Sequence, residues 1–455
     1  MFFKYNRKKI QLFSLALFLF STTFVNLFAQ KTTTVNSPAW SKNATIYEVN
    51  IRQYTPEGTF KAFEKHLPEL KDLGVKILWL MPINPIGVKN RKGTLGSYYS
   101  IKNYKAINPE YGNLDDFKEL VKKAHQLGFK VLIDWVANHT AWDNVWVKTH
   151  PDFYTKNSKG NFEPPVKDWT DVIDLNYNNK KLWKYMSDAM LYWIKETNID
   201  GFRCDVAGMV PTAFWNYVRK KLDKVKHVFM LAEWENEDLH KHAFDMTFAW
   251  EFFHIMKEIY KGKMNVKNLV AYLGREKKRF NPKAYRMTFT SNHDENSWNG
   301  TVTETFGKAQ RTFAVMTFLV KGMPLIYSGQ EAGLNKRLRF FDKDTINWKH
   351  SDYRKIYKTL VHLKLENKAL WNGTYGGEMH ILKTNNEKNI FAFTRQKNGN
   401  KIIAIFNLSN KEKIVRIADE NLDGNYKVLF NTKNIEITNH IKAKLKPWSY
   451  LVLYK

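Results

Sequence analysis

The 455-residue sequence holds a single cysteine, Cys204, so no intrachain disulfide can form and a disulfide-stapled scaffold is excluded. Acids are few: 44 Asp and Glu stand against 72 Lys and Arg, for a formal net charge of +28. Histidine and cysteine show no zinc-type spacing. After the first 29 residues, no apolar run is long enough to span a bilayer. The first strand candidate is not followed by a Gly-x-Gly-x-x-Gly turn, which weakens a dinucleotide-binding reading. Internal repeats and low-complexity tracts are also missing.

What the chain does hold is a large apolar fraction, 44%, enough for a sizeable core. Aromatic residues reach 15%, including 15 Trp. The basic balance alone suggests an anionic partner, and the aromatic load suggests ligands with flat faces, such as sugars or bases. Composition does not choose between them. The lysines are scattered over helix faces, as in Lys220-Lys221 and Lys277-Lys278, rather than clustered with aromatics. That pattern reads as solvated surface, so no specific nucleic-acid partner is expected; a loose attraction to an anionic cell envelope stays open.

Residues 1–29 read as a signal peptide. Lys4, Arg7, Lys8 and Lys9 form the positive start, residues 12–20 the apolar core, and Ala29 the last residue before cleavage. The rival reading is an uncleaved anchor, but the apolar core is interrupted at Ser21 and is short for a span. The expectation is an exported protein, periplasmic or extracellular, whose mature chain carries about +24.

From Thr45 onward, short apolar runs alternate with helix-like segments. Strand candidates cover residues 47–51, 75–81, 130–136, 201–206, 228–232, 244–248, 285–290 and 324–327. A helix pattern between the first two runs through Phe60, Phe63, Leu67, Leu70 and Leu73 and stops at Gly74. Eight such alternations favour a (β/α)8 barrel over an open doubly wound sheet. After strand 3 comes an irregular insertion, residues 138–177. Beyond Trp371 the texture changes to alternating β-formers around Lys397-Asn398-Gly399-Asn400, a hairpin signal. The expected domains are the signal at 1–29, a catalytic barrel at 30–374 including the small insertion 138–177, and a C-terminal antiparallel β domain at 375–455.

In such a barrel the reactive residues gather where strands end. The third strand ends in Asp134-Trp135-Val136-Ala137-Asn138-His139 and the fourth in Gly201-Phe202-Arg203-Cys204-Asp205. The fifth ends in Glu233-Trp234 and the seventh in Asn292-His293-Asp294. Four strands thus bring carboxylates to one rim. Arg203 and Asp205 are two apart and point to the same side of a strand. Glycoside hydrolysis needs such a set: one carboxylate at the anomeric centre and one carboxylic acid to protonate the leaving oxygen. An adjacent Arg favours the ionised nucleophile, and a third carboxylate raises the acid's pKa.

These four motifs, in this order and spacing, resemble those of the α-amylase family of glycoside hydrolases over about residues 44–370. The resemblance implies a barrel followed by a β-sandwich domain, and a retaining enzyme acting on α-glucans. It implies Asp205 as nucleophile, Glu233 as acid/base and Asp294 as the third carboxylate. Arg203 would pair with Asp205, and Asp134 would hold the site's geometry. His139 and His293 would donate hydrogen bonds to the sugar. Tyr99, in Gly96-Ser97-Tyr98-Tyr99, would stack on it, with Tyr98 one step away as the competing alignment. Calcium is a further implication: Asn138 and Asp174 match the family's ligand positions, though simple loop hydrogen bonding accounts for them equally well. Gly208-Met209 departs from the Lys-His pair that many α-amylases carry on the acceptor side.

The expected substrate is an α-1,4-linked glucan: starch, glycogen or maltooligosaccharides. The short insertion leaves the cleft open and favours a polymer. Cyclomaltodextrinase or neopullulanase activity, an α-glucosidase and a transglycosylase are alternatives within the family. A non-catalytic carbohydrate-binding relative is the remote one, disfavoured because all three carboxylates are present. Oligomeric state is not legible in the sequence.

Overall fold

The computed structural model describes residues 34–455, so the signal-peptide reading of residues 1–29 lies outside the described residues. The chain begins with β1 (Ile46–Val49), β2 (Ile77–Leu80) and β3 (Lys130–Trp135). Two short strands follow in the insertion, β4 (His139–Ala141) and β5 (Val172–Asp174), paired antiparallel. The barrel then continues through β6 (Gly201–Cys204), β7 (Phe229–Ala232), β8 (Met246–Phe248), β9 (Tyr285–Thr288) and β10 (Met323–Tyr327). Eight parallel strands close in the order β1-β10-β9-β8-β7-β6-β3-β2. Of β1, β2, β6, β7, β9 and β10, every residue is buried, as expected where helices cover the outside and side chains fill the inside.

All the barrel strands but the last, which is one residue longer, are shorter than the sequence patterns suggest, and two boundaries differ for identifiable reasons. After β1 the chain turns at Asn50 into a helical turn, Ile51–Tyr54, so residues 50 and 51 leave the strand. The expected helix from Phe60 to Leu73 is two, Phe60–Glu64 and Leu67–Leu73, because Pro68 sits in the first turn of the second and cannot continue the first. Gly201 opens β6 where a Cβ would lie 1.9 Å from the carbonyl oxygen of Phe229; only glycine lets those neighbouring strands meet.

The last strands form the C-terminal domain: β11 (Met379–Ile381), β12 (Ile390–Lys397), β13 (Asn400–Asn407), β14 (Lys413–Ala418), β15 (Gly424–Val428), β16 (Asn434–Ile437), β17 (His440–Leu445) and β18 (Ser449–Tyr454). Six make one sheet, ordered β11-β12-β13-β18-β15-β16, and β14 pairs with β17 in another. Ile403, Ile405 and Leu453 from the first sheet pack with Val415, Ile417 and Ile441 from the second in a shared apolar core. The Asn398-Gly399 turn has both residues at positive φ, 47° and 83°, the conformation that a two-residue hairpin with right-handed twist requires. Among the described residues, no helix is long and apolar enough to cross a membrane.

Candidate active site

The site is built on one buried cation. β6 continues in extended form past its end, since the Asp205 N–H donates to the Trp135 carbonyl at 3.0 Å. Arg203 and Asp205 therefore share a side, and Arg203 Nη1 donates to Asp205 Oδ1 at 2.9 Å and to Asp134 Oδ1 at 2.8 Å. Arg203 Nη2 lies 2.9 Å from Glu233 Oε1. The guanidinium is fully buried, with the ring faces of Trp79 and Tyr99 over it. Desolvating that charge is costly, and three carboxyl groups offset the cost.

Glu233 follows β7, and its N–H extends the ladder to the Cys204 carbonyl at 3.0 Å. Its Oε2 accepts the Val206 N–H at 2.8 Å. Val206 takes φ +35°, a left-handed conformation that costs a β-branched residue roughly 1–3 kcal/mol. That strained residue sits between the first candidate carboxylate and a hydrogen bond to the second.

Burial pushes both carboxyls up: Asp205 to about 6 and Glu233 to about 7. For Asp205, Arg203 favours the charged form as its place in the sequence implies, but burial outweighs that attraction and the ion pair only limits the rise. For Glu233, burial again leads, and the nearby Asp205 and Asp294 charges add to it. Asp294 is the open member of the trio, its side chain 34% exposed.

His293 is held from both ends. Its Nδ1 is 2.5 Å from Glu48 Oε1, and its Nε2 is 2.8 Å from the Tyr99 hydroxyl and 3.3 Å from Asp294 Oδ2. Burial alone would lower its pKa; Asp294 and Glu48 instead lift it to about 9, so it is a cation at neutral pH. His139 is the opposite case. Burial without a carboxylate partner drops it to about 3 and leaves it neutral, its ring edge-on to Trp169. Tyr99 donates its hydroxyl to Asp134 Oδ2 at 3.1 Å, and its ring stacks with His293 and Phe340. Tyr99 lines the cavity, whereas Tyr98 packs behind it under Arg52. Asp134 also accepts the Trp79 indole N–H at 3.0 Å.

The cavity above these groups has a volume of about 420 Å³ and is lined by Tyr99, His139, Asp205, Glu233, His293 and Asp294, with Trp169, Trp298 and Phe340 at its margin. Size does not select this site. A cavity of about 470 Å³ lies elsewhere, between Arg286 and Met379. Of its charged residues, Arg286 is paired with Glu235 and Glu276, and Lys321 with Glu378.

The motifs did not reveal Glu48, Trp169, Trp298 or Phe340. Glu48 left a signal, a lone acid inside the apolar first strand, and it is completely buried. Trp169 and Phe340 come from loops and Trp298 from a single π-helical turn, Glu295–Asn299, where sequence pattern says little about direction.

Asn138 and Asp174 are brought together by the small β4–β5 pair: the Leu175 N–H donates to the Asn138 carbonyl, and His139 pairs with Asp174. Asp174 Oδ2 accepts the Thr155 hydroxyl at 2.6 Å, and burial raises the carboxyl, with Glu163 adding to the rise. Among the described residues, no three His, Cys, Asp or Glu side chains group as metal ligands. A cation here would depend on Asn138 and backbone carbonyls as well as Asp174. Those donors are all oxygen, which suits calcium.

Comparison with known proteins agrees with the geometry. A model of the α-amylase catalytic domain matches residues 19–171 and 166–374, and one of the bacterial α-amylase C-terminal domain matches residues 381–447. Alpha-amylase 2 of Dictyoglomus thermophilum is 26% identical over 438 residues, covering 87% of this chain and 74% of its own. A cyclomaltodextrinase of Thermoanaerobacter pseudethanolicus is 26% identical over 447 residues, covering 83% and 72%. Among solved structures, a noncanonic maltogenic α-amylase, AmyB, from Thermotoga neapolitana superposes with a TM-score of 0.84 at 31% identity, covering 91% of this chain and 99% of its own. An α-amylase from Lactobacillus plantarum gives 0.82 at 33% identity, with 91% and 99% covered. This chain therefore belongs to the α-amylase family of glycoside hydrolases.

Proposed function

We propose that this glycoside hydrolase cleaves α-1,4-glucosidic bonds in starch, glycogen or maltooligosaccharides and retains anomeric configuration. The observation that carries the reading is Arg203, one buried guanidinium touching Asp134, Asp205 and Glu233 at the rim of an aromatic-lined cavity. Two carboxyls on a single guanidinium favour the short separation of a retaining enzyme, about 5 Å, over the roughly 6.5–9.5 Å of an inverting one.

In this mechanism Asp205 attacks the anomeric carbon as the bond to the leaving oxygen breaks. Glu233, kept protonated by burial, gives its proton to that oxygen. A glycosyl ester on Asp205 results. Glu233, now ionised, takes a proton from water as the water attacks the same carbon, and Asp205 leaves with its original charge. Asp294 binds sugar hydroxyls and helps stabilise the transition state. His293, cationic, and His139, neutral, donate hydrogen bonds to the sugar, and Tyr99 stacks on it. Proton NMR of the first products should show the α-anomer; β-anomer as the initial product contradicts Asp205 as nucleophile.

A second reading is favoured by relatives named as maltogenic amylases and a cyclomaltodextrinase. A product profile on soluble starch, maltotriose, pullulan and cyclodextrin separates the two: cyclodextrin as the preferred substrate selects the second.

The segment 1–29 supports export to the periplasm or outside the cell. An N-terminus at or near Gln30 in protein recovered outside the cytoplasm bears this out, and an intact Met1 rejects it. Asp174 and Asn138 would hold a calcium ion, which would stiffen the insertion beside His139 and take no part in bond cleavage. Chelation should then lower the melting temperature; an unchanged melting curve rejects the ion.

A further inference from the structure

The cavity of about 470 Å³ between Arg286 and Met379 shares no lining residue with the catalytic one. Its volume is that of a small-molecule site. One wall is the helix Val266–Arg279, which carries two apolar stripes. Val266, Leu269 and Tyr272 are buried in the core. Val270, Leu273, Gly274 and Lys277 fall at i, i+3, i+4 and i+7, share a second face, and line the cavity. Another wall is β11, through Met379 and the exposed Ile381. Two contacts fix these walls relative to each other. The Val266 N–H donates to the Lys388 carbonyl at 3.1 Å, and Lys321, just before β10, bridges to Glu378 at 2.6 Å. Gly274 is exposed at the mouth, in the middle of the helix, where only proline is a worse helix former. No neighbour demands glycine there, since a Cβ would meet nothing within 4 Å. One turn on, Lys277 is the cation left over. Arg286 and Lys321 have carboxylate partners, whereas Lys277 makes no ion pair or hydrogen bond among the described residues and faces Glu378 only at longer range.

We propose that this cavity binds an apolar monocarboxylate of the fatty-acid type, its chain along Val270 and Leu273 and its carboxylate on Lys277. Val270, Leu273 and Met379 are only half-buried, so a chain laid against them removes apolar surface from water. Entry past Gly274 requires no side chain to move. A glucan suits this lining less well, because Arg286, Glu276, Lys321 and Glu378 already satisfy one another. The site does not depend on which glucan the enzyme cleaves.

Isothermal titration of the whole chain with decanoate, below its micelle concentration, tests the site, and one-to-one binding is expected. Gly274→Phe fills the mouth and should weaken binding about tenfold. Lys277→Gln should weaken it about threefold, as loss of an exposed ion pair does, and Lys277→Arg should restore it. Gly274→Ala should melt higher than the unaltered protein, because a helix-interior alanine in open space is the better residue. Where the bulky Gly274→Phe does not fold, the two Lys277 variants and Gly274→Ala carry the test. No binding by the unaltered chain, full binding by folded Gly274→Phe or by Lys277→Gln, or a lower melting temperature for Gly274→Ala overturns the proposal.

Discussion

The rim of the barrel and the C-terminal sheets follow opposite rules. In the C-terminal domain each local preference agrees with the global fold. Strands alternate, Asn398-Gly399 turns the hairpin, and Ile403, Ile405, Val415 and Ile417 bury together. At the rim local rules are broken: a guanidinium is buried, carboxyls are held near it away from water, and Val206 is left-handed. The lesson is that the sheets are arranged for stability, whereas the rim holds charged groups where they can react. Substitutions should separate these roles.

Asp205→Asn should have the largest effect, lowering kcat/KM on maltooligosaccharides by about 10⁴-fold or more while the protein stays folded. Steady-state kinetics with a circular-dichroism melt checks it, and near-normal turnover breaks the proposed assignment. Glu233→Gln comes next, at about 10²–10⁴-fold for glucan leaving groups. The unaltered enzyme needs Asp205 ionised and Glu233 protonated, so its pH profile of kcat/KM should be bell-shaped. Activity falls above about 7 as Glu233 loses its proton, and on the acid side as Asp205 gains one. Residual activity of Glu233→Gln should lack the basic limb; a basic limb that persists near pH 7 assigns it to another group.

Glu48→Gln tests the charge that supports His293. A histidine raised to about 9 contributes stability below its unfolded value of 6.5, and that contribution is lost as pH rises through about 9. The variant should therefore melt lower than the unaltered enzyme at pH 6, and the gap should narrow toward pH 10. A gap independent of pH indicates packing alone. Ile405→Ala, at a fully buried position in the C-terminal core, should cost about 2–5 kcal/mol of stability, seen as a lower denaturant midpoint. Its kcat should change least of all. A large loss of turnover at temperatures where the variant is folded would erase the division between the two regions.

Much of the rim was legible because the signal lies in residue type and order. Asp134 and Glu233 directly follow apolar runs, Asp294 closes the Asn292-His293-Asp294 motif, and strand alternation already puts Arg203 beside Asp205. Glu48 was visible only as an acid in the wrong surroundings. Trp169 and Phe340, in loops, and Trp298, in a single π-helical turn, were not legible, because their side chains take their direction from packing that no periodicity records. The balance between Arg203 and burial at Asp205 was not legible either. Attraction can be inferred from a neighbour in sequence, but desolvation depends on everything packed around the group.

By itself the sequence determined the alternation that closes a barrel, the hairpin at Asn398-Gly399 and the acids at strand ends, because these depend on spacing and backbone preference within a few residues. Tertiary structure alone decided that one guanidinium holds three carboxyls, that Asp294 and Glu48 together keep His293 charged, and that Tyr99 rather than Tyr98 faces the cavity. The physical reason is that these depend on distances between segments remote in sequence and on burial, and both exist only once the barrel has closed.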